Sequence, residues 1–461
     1  MRASLLLAVI LYAAAAGAAQ VVVNGPPGTA AFGTTVTVLP NGNFVVTDQG
    51  FDAPGPIADV GAVFLYRPDG VLISTLRGST ANDQVGSGGV TVLSNGNYVV
   101  GSISWDNGAA TDAGAATFGS GSTGISGVVS PSNSLVGSSA NDRVSNFGIT
   151  ALSNGNYVVR SVNWDNGAAT NAGAATFGSG TTGISGVVLP TNSLVGSTAN
   201  DFVSANGISA LSNGNYVVRS PEWNNGAATN AGAATFGLGT TGISGVVSPT
   251  NSLVGSSAID LVSNAGITAL SNGNYVVISV SWDNGATINA GAVSLGLGGG
   301  GVDGPLTTQH SVLGLVANSP LNFAYDPPRN QLVVGQQASN RVVLHRTGVA
   351  TAISIVGDTP DPAAAGLPVT FTATVSASPA PGNGQVTFRA SSGETCTDTT
   401  VTASSATTAS FSCTITFTTA GVSTVIAEYT GSIIHAYSGS GAETHTTTPP
   451  DNVFANGFET P

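Results

Sequence analysis

Ser153-Asn154-Gly155-Asn156-Tyr157-Val158-Val159, followed after four intervening residues by Trp164-Asp165-Asn166-Gly167, is one copy of a pattern that runs through most of this chain. The same frame gives Tyr98-Val99-Val100 with Trp105, Tyr216-Val217-Val218 with Trp223, and Tyr275-Val276-Val277 with Trp282, so all four tryptophans stand 59 residues apart. A diverged copy precedes them. Phe44-Val45-Val46 follows Pro40-Asn41-Gly42-Asn43, and Phe51 stands seven residues after Phe44, as Trp105 stands seven after Tyr98. Five units are therefore legible, the first shortened by five residues. A period of this size, carried by short β-type runs and glycine-rich turns, describes a supersecondary element that buries its core only against its neighbours.

Within a unit the coarse reading is four strands. Ile149 to Leu152 and Tyr157 to Ser161 flank Asn154-Gly155, a tight-hairpin signal in which both turn positions favour positive φ. A third strand covers Ala172 to Phe177, and a fourth covers Gly186 through Gly196. No stretch has helical spacing of apolar residues. Four antiparallel strands repeated radially predict an all-β chain built on a β-propeller. Ser311 to Leu315 supplies the fourth strand of the fifth unit. Asn322 to Tyr325, Gln331 to Val334 and Arg341 to Leu344 read as three strands of a sixth blade, which Val21-Val22-Val23 would complete, closing the ring and removing its open edge.

From Ala350 onward the composition shifts to Thr, Ser, Val and Ala. Alternating runs at Val369 to Val375, Gln385 to Phe388 and Val425 to Tyr429 predict half-buried strands of a sandwich. Cys396 and Cys413 are expected to form a disulfide closing a loop of roughly 18 residues, which the chain-entropy model values at on the order of 3 kcal/mol. The expected division is a signal peptide over 1–19, a propeller over 20–347, a sandwich over 350–447 and a C-terminal tail over 448–461.

Composition narrows the function. Residues 1–19 join one arginine to an apolar run and small cleavage-site residues, the pattern of a Sec signal peptide and too short for an anchor. Charged residues make up 7% of the chain, all ten basic residues are arginine, and the net charge is −13. An acidic, lysine-free chain offers no phosphate-binding patch, which argues against nucleic acid and anionic membranes. The expectation is a secreted or surface-displayed monomer with no membrane insertion.

The run Leu194-Val195-Gly196-Ser197-Thr198-Ala199-Asn200-Asp201, a strand, and then Ala231-Gly232-Ala233-Ala234-Thr235-Phe236 resembles the FG-GAP repeat of integrin-α-type propellers. The name-giving pair stands as Phe32-Gly33 and Phe147-Gly148, with Val85-Gly86 in its place elsewhere. A repeat of secreted bacterial proteins with the Leu-Val-Gly-Ser and Asn-Asp signature is more similar still. The resemblance covers roughly residues 20 to 347 and implies a propeller. FG-GAP repeats often hold calcium in an Asp-rich loop, but the corresponding turn, Leu152 to Asn156, has too few oxygen ligands, so no metal or cofactor is carried over. Residues 350 to 447 resemble a bacterial Ig-like module through Gly366 to Phe371, Gly384 to Phe388 and Ala427 to Gly431. Asp451 to Glu459 is similar to a short terminal motif of exported proteobacterial proteins.

Catalysis finds no support in the motifs. His310, His345, His435 and His445 lack ligand spacing, and no nucleophile elbow or phosphate loop occurs. The periodic residues are Trp105, Trp164, Trp223 and Trp282, with Asp83, Asp142, Asp201 and Asp260. In a propeller both sets open on one face, where indoles and carboxylates would suit an extracellular glycan or a surface protein. The other reading, favoured for these side chains because large aromatics are usually well buried, is that each tryptophan wedges between adjacent units and each aspartate caps its own turn. Binding or adhesion without catalysis is the leading expectation. A purely structural repeat protein, or an exported hydrolase or lyase with a site at the propeller axis, is the alternative.

Overall fold

The structure, a computed structural model, describes residues 20–450 apart from 56, 347, 350 and 432–434. The expected signal peptide and most of the expected tail lie outside the described residues. Among the described residues the chain is all-β, the only helices there being two single 3-10 turns, Pro327–Arg329 and Gln337–Ser339.

Unit 3 shows how the repeat folds. Ile149–Ala151, Tyr157–Ser161, Ala174–Gly178 and Ser193–Val195 form an antiparallel sheet in chain order. The Asn-Gly turn differs from the expectation. Gly155 alone has positive φ, at 90°, and its N–H donates to the Leu152 carbonyl. The loop is thus a type I turn closed by a left-handed glycine. Asn154 is thereby left to do something else, since its amide donates to the Gly239 carbonyl of unit 4. Asn41, Asn95 and Asn213 make the same bond to the following unit.

The expected fourth strand is two strands. Gly186–Val187 leaves its own sheet and pairs in parallel with Ser134–Val136 of unit 2, while Ser193–Val195 completes unit 3. Asn192 makes the break, accepting from the Leu189 N–H and donating to the Val187 carbonyl. The same donation recurs between units 1 and 2, 3 and 4, and 4 and 5. The sheets of units 1 to 4 are therefore each edged by their successor, while that of unit 5 ends at Ser311–Leu313.

The sheets stack face to face, with a separate apolar cluster between each successive pair. Leu321–Asp326, Gln331–Gln336 and Arg341–Arg346 form a three-stranded sheet on unit 5. The expected ring closure is not formed. Val21 to Val23 lie in no strand, and residues 23 to 32 instead lie over the free face of unit 1, where Phe32 packs edge-on against Phe64 and Tyr66. With that face already covered, the last sheet has nothing to close on, and Val342 and Leu344 of that sheet are exposed.

Residues 352–448 form a two-sheet sandwich. One sheet holds Ala352–Thr359, Pro368–Ser376, Thr408–Thr416 and Ala403–Ser404, and the other is built around Gly421–Tyr429 and Val386–Ala390. Phe371, Phe388, Phe411 and Tyr429 are fully buried between them. Cys396 and Cys413 form the expected disulfide, with Cα atoms 6.0 Å apart, and it ties one sheet to the other.

Glu428 joins the sandwich to the repeats. It accepts from Arg329 of the last repeat sheet at 3.0 Å, from Arg389 at 2.8 Å and from the Tyr437 hydroxyl at 2.7 Å. Burial raises its pKa, but these donors outweigh it and hold the carboxyl at about 2. A depressed carboxyl contributes stability that is complete above its unfolded pKa of about 4.3 and is lost as the pH falls through the folded value. Glu428→Gln should therefore lower the melting temperature at pH 7, and the difference from wild type should vanish below about pH 2. Calorimetry across that range checks it.

Candidate functional site

The periodic tryptophans and aspartates come together, but inside the stack. Trp105, Trp164 and Trp223 are 3% exposed and Trp282 is 5% exposed. Each lies in the cluster between its own sheet and the one before it: Trp164 shares its cluster with Leu93, Val99 and Leu135 of unit 2 and with Tyr157 and Val195 of unit 3. An indole buries roughly 150–250 Å² in such a position. The wedge, not the exposed subsite, is what the structure contains.

The aspartates are fully buried too. Each stands in the link between two units and accepts three backbone N–H groups. One Asp142 oxygen takes Ser138 and Ser139, both at 2.8 Å, which shapes the link. The other takes Asp165 at 2.9 Å, the residue after Trp164 in the next unit. Asp83, Asp201 and Asp260 repeat this with Asp106, Asn224 and Asp283. On its other side the link donates from Asn141, Arg143 and Val144 to the carbonyls of Thr111, Asp112 and Ala113 in the preceding unit. Two units are thus clamped through one carboxylate. Burial pushes the Asp83 and Asp142 carboxyls up, while the N–H donors pull the other way.

The loop after each tryptophan is held by its own turn residues. Asp165 accepts from Asn171, and Asn166 donates to the Gly196 carbonyl at 2.8 Å. Asn107, Asn225 and Asn284 repeat the second bond. Arg160 and Arg219 reach across to the link that follows, where Arg160 donates to the Ser204 and Ala205 carbonyls and Arg219 to those of Ser263 and Asn264. Tyr98, Tyr157, Tyr216 and Tyr275 are buried, and desolvation raises their phenols, that of Tyr98 to about 12.

One constellation had no signal in the sequence. His445, fully buried and stacked on Phe417, directs Nδ1 at Asp358 at 2.6 Å and at Asp361 at 3.3 Å. Asp361 also accepts from the Thr446 N–H. These three side chains could each offer a metal one ligand atom. One imidazole N–H shared by two carboxylates accounts for the same geometry. More than eighty residues separate the histidine from its partners, so only the folded sandwich unites them. Of the other histidines, His310 and His345 are lowered by burial.

Residues 92–146, 151–205, 210–264 and 269–321 match the family described as "Repeat of unknown function (DUF5650)". Together these segments make up a little under half of the chain. No curated protein matches it. A similar solved structure is "Crystal structure of tetra-tandem repeat in extending region of large adhesion protein", at 14% identity, covering 90% of this chain and 97% of that one, with a TM-score of 0.17. That score is too low to establish a shared fold. No helix among the described residues is long and apolar enough to cross a membrane.

Two substitutions test the clamp. Trp164→Ala should cost the stack about 3–5 kcal/mol, the range for removing a large buried aromatic. Asp142→Asn should cost about 1–3 kcal/mol, because its amide must point N–H at one of the N–H groups the carboxylate accepted. Denaturant unfolding of both variants is the check, and a stability within 0.5 kcal/mol or so of wild type, the usual scatter for surface changes, would contradict the assignment.

Proposed function

We propose that this chain is a non-catalytic exported protein whose repeats form a rigid open stack that spaces and displays what lies at its ends, in a structural or adhesive role at a cell surface. The observation that carries it is where the repeated side chains go. Every tryptophan and aspartate kept in phase over 59 residues is spent on joining one unit to the next, which is what a spacer requires. Copying such a unit adds length without changing the interface, since stability in a repeat array is a sum of unit and nearest-neighbour terms.

Export is supported by the signal-peptide pattern of residues 1–19 and by the Cys396–Cys413 disulfide, a bond that persists in oxidising compartments. The C-terminal sandwich, which resembles a bacterial Ig-like module, would stand at the far end from the N-terminal segment. Glycan recognition through the tryptophan and aspartate set has no exposed indole to support it. Catalysis at a propeller axis has no closed ring to support it.

The spacer reading is tested by removing one full period. A chain lacking residues 151–209 should fold, keep its strand content and shorten. Stacked sheets lie about 10 Å apart, so its maximum dimension in small-angle scattering should fall by about that amount. An unfolded product, or an unchanged dimension, would remove the proposal.

A further inference from the structure

The sandwich passes from one sheet to the other beside His445. The strand Ala352–Thr359 belongs to the first sheet, and after three intervening residues Ala363–Ala364 pairs in parallel with Glu443–Thr448 of the second. Asp358 stands near the end of the outgoing strand, Asp361 in the crossover and His445 on the strand that receives it. The crossover thus brings two carboxylates to one imidazole, whose Nδ1 lies 2.6 Å from Asp358 and 3.3 Å from Asp361. The His445 side chain is fully buried and that of Asp358 is 7% exposed, while Asp361, at 35%, forms the open rim. Packing fixes the ring, which stacks on Phe417 at 4.8 Å and meets Phe371 edge-on at 5.8 Å.

A proton alone serves this cluster poorly. Among the described residues His445 is the one cationic partner that either carboxylate has. With a neutral ring, two carboxylates share one N–H and two negative charges stand at the edge of an apolar core. With an imidazolium one negative charge remains, and Nε2 becomes a charged donor with nothing to accept from it, since that atom is buried and has no partner. Buried charges are tolerated when fully paired, and an unpaired charged group costs more than a neutral one. Two carboxylates, a neutral imidazole and one divalent cation sum to zero, and the orphaned Nε2–H is then neutral.

The donor set selects the class of ion. Calcium and magnesium take oxygen ligands, whereas an imidazole joined by carboxylates suits zinc and its first-row neighbours. The three ligand atoms lie within 4.8 Å of one another. Around tetrahedral zinc, ligands bound at about 2.0–2.2 Å stand about 3.4 Å apart. The His445 and Asp361 atoms already have that spacing, and Asp358 has to draw back by about 0.8 Å. A fourth position is left for water, which the rim at Asp361 admits.

We propose that Asp358, Asp361 and His445 form a structural site for a divalent transition metal of the zinc type, which locks the sandwich at its strand crossover. The ion joins the outgoing strand of the first sheet, the crossover and the last strand of the second sheet. The Cys396–Cys413 disulfide ties the first sheet to Thr395–Asp398, at the opposite end of the second sheet. Metal and disulfide together hold the module at both margins. The site is independent of the spacer reading, since it needs the sandwich alone.

The test uses the purified full chain after dialysis against EDTA. Zn²⁺ titrated in a calorimeter should bind saturably at one equivalent and shift the His445 ring resonances. It should also raise the melting temperature, because an ion that binds only the folded state stabilises it. Asp361→Asn changes a rim residue whose side-chain oxygen can still accept from the Thr446 N–H, so the fold is retained. It should weaken Zn²⁺ binding at least about tenfold, since losing even a group that only orients a metal ligand typically costs about 10–100-fold. Asp69→Asn, at an exposed carboxylate of the repeats, should bind as wild type. No saturable heat at millimolar Zn²⁺ overturns the proposal. Equal binding by Asp361→Asn assigns the ion to scattered surface carboxylates and overturns it too, as does saturable binding of Ca²⁺ with none of Zn²⁺.

Discussion

A buried carboxylate that accepts three backbone N–H groups is the interaction on which the repeat array depends. Burying a charge without partners is prohibitive, so the aspartate tolerates the interior only because its own link and the next unit's tryptophan loop both aim donors at it. The converse also holds. Those N–H groups belong to loops with no strand partner, and unpaired they would cost free energy in the interior. The clamp therefore fixes loop, tryptophan and neighbouring sheet together. The parallel two-residue strand and the asparagine at each hairpin reinforce the same junction at other places, so adjacent sheets are bound along their whole depth.

A structure that propagates by nearest-neighbour contacts must stop at both ends, and this chain stops in two ways. At the start, residues 23 to 32 and the aromatic set of Phe32, Phe51, Phe64 and Tyr66 cover the free face of unit 1, with Ala30 and Ala31 donating to the buried Asp48. At the finish, Asn272 and Asn274, whose counterparts bind a glycine carbonyl of the next unit, instead meet Tyr325 and Asn330 of the three-stranded sheet. Adapting the junction there costs the link its serine loop, and Leu321 takes the place of Val262, its Cδ1 3.7 Å from a Cβ built on Gly291.

Much of this was readable from the residues alone. The period, the five units, the hairpin at each Asn-Gly pair and the strands of the last repeat sheet follow from apolar alternation and turn chemistry, and the disulfide follows from two cysteines in a chain whose first residues read as a signal peptide. Closure was not readable. A stack and a ring use the same nearest-neighbour contacts, and Val21 to Val23 have strand-like composition whether they pair or lie across a face. The break at Asn192 was hidden for a related reason, since Gly186 to Gly196 is continuous in composition while its two halves serve different sheets. Burial of Trp164 and Asp142 was open because both residue types occur on binding faces and in junctions, and only the N–H groups that converge on the carboxylate decide between them. The pairing of His445 with Asp358 and Asp361 could not be read at all, because it depends on strands that meet only when the sandwich is folded.

Native-state hydrogen exchange at Asp106, Asp165, Asn224 and Asp283 tests the clamp most directly, because each of these loop amides has its partner in the link aspartate of the preceding junction. The account predicts that all four exchange only through opening of the stack, with protection matching that of the strand amides of Val158 and Val217, and that Asp142→Asn removes it at Asp165 first. Exchange at the rates of exposed loops in the wild-type protein would contradict the account and return the tryptophans and aspartates to the surface.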